Sequence, residues 1–405
     1  MRIYWFIILC ILCPFIALAQ SGEITGTVTR LDNKAPVGQA NIFLSNSTVG
    51  SATKDDGTFF LSGIKQGQYT LVVSIVGYED YTQNVLVGRE PIKLNIQLAP
   101  RVTQLHEVVI TTNADWKKNY AQFVRDFIGT DDNAKYCTVL NPHAVTLIYH
   151  GSKKTLEAYT EEFLVVENLA LGYKVKFLVN QFSSSQLTHI ISYEGQRLFE
   201  ELKGSKKQKE IWNAKRREAY YGSAMHFYRS LYTNKLEEEG FQMYTLSRML
   251  NPNRPQEDVI QQKVKLYSQT HNRDSLNMWI GLANIPKYYK QDLSKDTLRT
   301  YDVLRATDKQ GVYGIEFKDY LYVVYTKKRE ETDFKDVYRS LDMPNYEASV
   351  VTLYKPYFFD MNGIVFGVNA PLYEGTWSKS KLSDLLPVDY VPDGPMVPQV
   401  PADDK

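Results

Sequence analysis

Beyond residue 19 this sequence has one cysteine, Cys137; the other two, Cys10 and Cys13, lie in the opening stretch. If residues 1–19 are removed, as read below, no intrachain disulfide can form and stability has to come from packing. Tyr136-Cys137-Thr138-Val139-Leu140 reads as the entry to an apolar strand, where a thiol is buried and inert rather than nucleophilic. An excess of either charge is also missing: 47 Lys and Arg stand against 46 Asp and Glu. No overall field draws the chain to nucleic acid, and a polyanionic partner is disfavoured. After residue 19 no run approaches the roughly 18 apolar residues of a membrane-spanning helix.

Catalytic signatures are absent as well. A zinc carboxypeptidase needs His-x-x-Glu and a distant His, because catalytic zinc takes three protein ligands and keeps a position for water. Three residues after His106, His143, His150, His189, His226 and His271 come Val109, Thr146, Lys153, Ser192, Arg229 and Asp274. There is no Gly-x-Ser-x-Gly elbow, phosphate-cradling glycine loop or dinucleotide fingerprint. Asp55-Asp56 beside Gly57 reads as a hairpin turn rather than a calcium loop, which needs oxygens at alternate positions and a distal Glu. His271-Asn272-Arg273-Asp274 reads as part of a polar loop. The expectation is no catalytic residue, no cofactor and no metal.

What is present begins with an uncharged apolar run, residues 3–19, after Arg2. Ala17-Leu18-Ala19 has the small-x-small pattern of a signal-peptide cleavage site, and Pro14 interrupts the run, so residues 1–19 are expected to be removed and the mature chain to begin at Gln20. From Ile24 onward short alternating runs are separated by turn residues. Ile92-Lys93-Leu94-Asn95-Ile96-Gln97-Leu98 places every second side chain on a core, Tyr69, Leu71, Val73 and Ile75 make a similar row, and Phe59 and Leu61 come just after the Asp56-Gly57 turn.

Gly26-Thr27-Val28, Pro36 with Ala40-Asn41-Ile42, Thr53-Lys54-Asp55-Asp56-Gly57-Thr58-Phe59, Gly67-Gln68-Tyr69-Thr70-Leu71 and Gly77-Tyr78 occur in that order. With these motifs residues 20–112 resemble the carboxypeptidase-regulatory-like, transthyretin-like domain. The resemblance implies a seven-strand-type antiparallel β-sandwich that does not itself hydrolyse peptides. The same module followed by a segment like Leu105-His106-Glu107-Val108-Val109-Ile110 precedes the plug of TonB-dependent receptors. The helical patterns further along the chain have no place in a barrel wall, and residues 107–110 read instead as the last sandwich strand.

Residues 113–387 read as an α+β domain, which makes the whole chain mainly β with an α+β second unit. Trp116, Tyr120, Phe123, Val124, Phe127 and Ile128 form a helical stripe expected to dock the sandwich onto the second unit, with Gly129 closing the helix. Strands are expected at 144–149, 155–159, 173–179 and 188–193, with a turn at Gly151-Ser152. A helical block spans 206–239, broken at Gly222-Ser223 and ended by Gly240. Strands resume at 241–246, 311–317, 320–326 and 350–353, then as a type I′ hairpin around Asn362-Gly363. The Pro-rich tail, 388–405, is expected to be extended or disordered.

Lys118-Asn119-Tyr120, Phe127-Ile128-Gly129, Asn141-Pro142, Leu171-Gly172-Tyr173, Trp212 with Arg216, Ala219-Tyr220, Gly222-Ser223, His226-Phe227, Arg229, and Trp377 with Asp384-Leu385-Leu386-Pro387 extend the likeness. Over most of its length the chain is similar to exported carboxypeptidase-regulatory-like-domain proteins of Gram-negative envelopes, a resemblance that implies no particular activity.

Steps of three and four place Trp212, Arg216, Tyr220, Ser223, His226 and Arg229 near one helical face, where two arginines and a histidine are costly to bury unpaired. Arg216, Tyr220, His226 and Arg229 are therefore the candidate polar site: a structural network with acidic strand residues, or a pocket for an anion. A structural network predicts that Arg216→Ala costs about 3 to 5 kcal/mol. Seven Lys or Arg against one Glu between Lys203 and Arg217 read as a solvated helix face. The functional expectation is a non-enzymatic binding or structural protein of the periplasm or outer membrane, whose partner is an envelope protein or a glycan. The alternatives are a carbohydrate-binding protein of an uptake system, with clustered exposed aromatics, and a peptidase-like hydrolase without a recognisable motif.

Overall fold

The computed structural model describes residues 22–101, 113–309, 311–330, 344–366 and 370–394. The proposed signal sequence, the strand expected at 107–110 and the tail beyond 394 lie outside the described residues.

The chain is mainly β with an α+β second unit, as the alternation and the helical stripes imply. Seven strands build the first unit: β1 Gly22–Arg30, β2 Asn41–Leu44, β3 Gly50–Ala52, β4 Thr58–Ile64, β5 Gly67–Ser74, β6 Tyr81–Val87 and β7 Ile92–Leu98. They form two sheets, ordered β4-β1-β7 and β3-β2-β5-β6. Ile24, Val28, Ile42, Phe59, Leu71 and Val73 are buried between them. One pairing departs from the antiparallel expectation: β1 and β7 run parallel, from Ile24 opposite Ile92 to Arg30 opposite Leu98. Gly57, with φ 78°, closes the turn into β4, and its N–H donates to the Lys54 carbonyl at 2.8 Å. A Cβ there would stand 2.5 Å from the Val28 carbonyl oxygen, which is why only glycine fits.

Helix α1, Asn113–Ile128, opens the second unit. Phe123, Phe127 and Ile128 are buried while Trp116, Tyr120 and Val124 are partly so, and Gly129 with φ 114° ends the helix. The stripe does not face the sandwich. It packs on a six-stranded antiparallel sheet made of β8 Cys137–Val139, β9 Val145–His150, β10 Thr155–Thr160, β11 Leu164–Asn168, β12 Tyr173–Ser185 and β13 Ile191–Glu201. The Phe123 ring meets Phe182 edge-on at 5.0 Å, so the aromatic stripe is the lid of this sheet's own core.

The sandwich is docked by different residues. Asn46 donates its N–H to the Arg197 carbonyl at 2.7 Å, Phe199 donates to Ser47 at 2.9 Å, and Ser47 bridges Leu198 in parallel register. Phe43 and Val72 on one side meet Leu178 and Leu198 on the other in a buried apolar cluster.

The helical block resolves into α2 Lys206–Tyr220, α3 Ala224–Tyr232 and α4 Leu236–Glu239. Gly222 (φ 89°) breaks it, Ser223 caps α3 by accepting the His226 N–H at 3.2 Å, and Gly240 (φ 91°) ends it. Two further sheets complete the unit. One runs β15-β14-β18-β19-β22, from β14 Phe241–Leu250, β15 Tyr288–Leu298, β18 Tyr320–Arg329, β19 Tyr346–Thr352 and β22 Leu372–Gly375. The other runs β16-β17-β20-β21, from β16 Leu304–Ala306, β17 Val312–Ile315, β20 Tyr357–Asp360 and β21 Val365–Phe366. Phe227, Tyr228 and Leu231 of α3 are buried against Phe241, Val323 and Phe359 from these sheets and against Trp377, just after β22.

Three local features differ from expectation. Between β14 and β15 stands a helical hairpin, α5 Glu257–Gln269 and α6 Arg273–Ala283; of the stretch read as polar loop, His271 and Asn272 form the exposed connection while Arg273 and Asp274 open α6. The β20–β21 connection is not type I′, which needs positive φ at both central residues. Only Gly363 (φ 76°) has it there; Gly363 donates to the Asp360 carbonyl and Asp360 to that of Ile364, giving a three-residue turn with the glycine left-handed. Residues 387–394 are neither simply extended nor unpacked: the Tyr390 N–H donates to the Pro387 carbonyl at 3.0 Å, closing a turn, and the segment packs against the body.

Candidate functional site

The predicted polar residues divide into two groups, because the left-handed turn at Gly222 separates α2 from α3. Trp212 and Arg216 occupy one end of the buried face of α2. Trp212 Nε1 donates to the Leu169 carbonyl at 2.9 Å, and Arg216 donates to the Leu171 carbonyl (2.7 Å), the Gly172 carbonyl (3.3 Å) and Glu201 Oε1 (2.8 Å). The guanidinium lies over the Tyr173 ring, 3.9 Å from its centroid. Leu171-Gly172-Tyr173 is thus the socket for this helix. Gly172 is left-handed (φ 70°), and a Cβ there would come within 2.2 Å of the Trp212 ring.

Tyr220, His226 and Arg229 form the second group. The rings of Tyr220 and His226 lie 4.9 Å apart, and the Arg229 guanidinium sits 5.4 Å from the Tyr220 centroid. His226 is 2% exposed. The Gly222 N–H donates to its Nδ1 at 3.2 Å, so that nitrogen is bare and the proton is on Nε2, which donates to Glu239 Oε2 at 3.1 Å. This is the neutral tautomer, and burial holds the imidazole pKa below its ordinary value despite the carboxylate. Arg229 donates Nε to the Asn362 carbonyl (2.9 Å), Nη1 to Tyr390 (2.9 Å) and Nη2 to Val388 (2.8 Å).

What Arg229 holds was not legible as a site: a strap, residues 387–394, laid across the junction of the two units. Val388 is 4% exposed in the sandwich core, and its N–H donates to the Asn46 carbonyl at 2.7 Å. Asp389 accepts the Thr48 N–H at 3.0 Å and the Thr48 hydroxyl, and Lys65 Nζ donates to the Asp389 carbonyl at 2.7 Å. Asp393 is ion-paired with Arg217 and accepts from Asn213 at 2.8 Å, while the Tyr221 hydroxyl donates to the Gly394 carbonyl at 2.9 Å. The only sequence signal for this segment was its proline content, which reads equally well as an unpacked tail.

Two clefts flank the network. One, of about 310 Å³, lies beside the strap and is lined by Thr48, Lys65, Tyr173, Arg216, Asp389 and Tyr390. The other, of about 320 Å³, lies behind the α2–α3 elbow and includes Asp131, Lys215, Lys328, Glu330, Trp377 and Asp384. Burial, with the charge of Asp131 adding to it, raises the Asp384 carboxyl to about 6. Cys137 donates to the Asn133 carbonyl at 3.6 Å, and burial pushes its thiol up to about 12, so it is no nucleophile at neutral pH. Among the described residues no three His, Cys, Asp or Glu side chains are grouped to hold a metal ion, and no helix is long and apolar enough to cross a membrane.

The fold and this network define a two-unit, β-rich protein whose polar residues knit a sandwich to an α+β body. The family model of the CarboxypepD_reg-like domain matches residues 24–110, so the first unit is a domain of that kind. No curated protein matches the chain. Among solved structures, the pilus 2b backbone protein of group B streptococcus is similar at 21% identity and TM-score 0.18, covering 20% of this chain and 41% of its own. The minor pilin of Streptococcus agalactiae is similar at 16% identity and TM-score 0.19, over 22% of this chain and 49% of its own. This chain therefore spans less than half the length of either pilin. A DUF3823 family protein from Bacteroides ovatus is similar at 12% identity and TM-score 0.17, over 45% of this chain and 100% of its own. These likenesses are too slight to bring a function across.

Proposed function

We propose that this chain is a non-enzymatic binding or structural protein, exported by residues 1–19 to the periplasm or outer membrane, with an envelope protein or a glycan as its partner. The observation that carries the reading is the state of the candidate polar site. The bonds of Arg216 and Arg229 run to main-chain carbonyls and Glu201, and both ring nitrogens of His226 are taken up inside the protein. Groups held this way position chain segments; they are not presented to an anion or a scissile bond.

A sugar-stacking platform is supported less. Trp212 and Trp377 are buried, and the exposed aromatics Phe60, Tyr136, Tyr289, Tyr301, Tyr354 and Phe358 belong to different elements. The deciding experiment is mild crosslinking of the full chain in its native envelope, followed by mass spectrometry of the purified adducts. Recovery of one stoichiometric envelope protein or glycan supports the proposal. Turnover of peptide or ester substrates that survives repurification overturns it. The same spectra report the N-terminus: Gln20 is expected, and an intact Met1 would mean an uncleaved anchor.

A further inference from the structure

The β20–β21 turn is clamped on two sides. On one it touches the sandwich: a Cβ on Gly67 would stand 2.7 Å from Asn362 Nδ2, and Asn362 Nδ2 reaches the Gln68 carbonyl at 3.5 Å. On the other it touches α3, where a Cβ on Gly363 would stand 2.7 Å from the Met225 carbonyl and 3.1 Å from Arg229 Cγ. At the base of the turn Asp360, 3% exposed, accepts the N–H groups of Asn362 (2.9 Å) and Ile364 (3.1 Å) on Oδ1. Beside it lies a cavity of about 70 Å³ between the sandwich and the hairpin, lined by Ser45, Tyr69, Asn84, Asp360, Phe366 and Val388 among others. Ser45 is 6% exposed, and its buried hydroxyl has no hydrogen-bond partner among the described residues. A buried carboxyl group and an unsatisfied hydroxyl thus line one cavity, otherwise mostly apolar, at the seam of two units.

We infer that Asp360 is a proton-operated latch between the sandwich and the second unit, closed when its carboxyl is protonated and loosened when it ionises. A neutral carboxyl keeps its two backbone bonds and adds an O–H donor to a cavity that holds an unsatisfied oxygen. The carboxylate loses that donor and puts a charge into a buried site where the two N–H bonds and Arg229 offset only part of the lost hydration. The charged and titratable groups facing it are Arg229 and Tyr232 from α3 and Tyr69 from β5. Burial outweighs the Ile364 and Asn362 N–H groups and Arg229, which favour the carboxylate, and raises the carboxyl to about 6. A folded value raised in this way gives stability that is full below the unfolded value and lost as pH rises through 6. Opening of the seam therefore becomes about tenfold easier between pH 5 and 7.5, for a carboxyl that titrates near 4 when the seam is open.

Hydrogen exchange of the Gly67–Thr70 and Asn362–Ile364 amides in the full chain, corrected for the intrinsic pH dependence, reads this opening. Wild type should show about a tenfold rise over that range, and Asp360→Asn, which keeps the acceptor and the donor without the charge, should abolish it. If Asp360→Asn retains the wild-type pH dependence, the titrating group lies elsewhere, His226 or Asp384 included, and the latch is wrong. A carboxyl carbon titration by NMR tests wild type without a variant. A midpoint well above the ordinary carboxylate range supports the latch, and one at or below the ordinary value of about 4 overturns it.

Discussion

At the scale of single residues, the arginines show why a polar stripe on a helix is ambiguous in a sequence. The spacing of Arg216, Tyr220, His226 and Arg229 said that these groups need partners, and the structure supplies them mostly as main-chain carbonyls, which have no sequence signature. Glu201, the acidic strand partner of Arg216, has a side chain 58% exposed, so removing the arginine strands no buried charge. The cost of Arg216→Ala comes instead from the Leu171 and Gly172 carbonyls and from lost packing on Tyr173. We expect about 2 to 4 kcal/mol in denaturant unfolding, at one to three per unsatisfied group, below the cost of breaking a fully buried pair. A loss under about 0.5 kcal/mol would mean that water replaces the guanidinium freely. For His226, a depressed folded pKa means that stability is present above the unfolded value of 6.5 and lost as pH falls below it. Nitrogen NMR should find Nδ1 bare and Nε2 protonated at pH 6; an imidazolium at that pH would contradict the hydrogen-bond assignment.

Among elements, those with punctuation were the readable ones. Gly57, Gly129, Gly222 with Ser223, and Gly240 each mark a boundary that the backbone obeys, because a positive φ or a cap is a local requirement that a residue type reveals. Gly57→Ala is accordingly expected to destabilise the sandwich by about 1 to 3 kcal/mol, with the loss seen in the thermal midpoint. An unchanged midpoint would mean that the turn relaxes into another type. The helices α5 and α6 lacked such clarity. The stripe is there, Leu276, Trp279, Ile280 and Ala283 packing with Ile260 and Val264 around Leu187, but the polar connection at His271-Asn272 interrupts it. The strand β8 lies within the apolar run Tyr136–Leu140 and was legible there, whereas β11, five residues long, shows too little alternation to be distinctive. The stripe of α1 is a helix, as its spacing implies, but not the docking element. Periodicity names a face to be covered and does not say by what.

For the whole molecule, the division into a sandwich and an α+β body could be read from the switch in period, whereas the seam between them could not. It is made by Phe43, Val72, Leu178 and Leu198, by the loop around Ser47, and by the strap. Each of these is ordinary in its local sequence. Truncation after Leu386 should lower the unfolding free energy by at least about 2 kcal/mol, since Val388 leaves a core and Arg229 loses two acceptors. An isolated 22–112 fragment should still unfold cooperatively with a β-type circular dichroism spectrum, at a lower midpoint than in the full chain, because Phe43 and Val72 lose their cover. A disordered fragment would show that the seam is part of the sandwich's own core. The strap also has a kinetic consequence. Asp389 clasps Thr48 across 341 positions of chain, so in a polypeptide made from its N-terminus the clasp is among the last contacts available. Both units can assume their shapes before residues 387–394 arrive, and until then the pair is held without the strap, by the Ser47 loop and the Phe43–Leu198 contacts, an intermediate more open to proteases and chaperones along the seam.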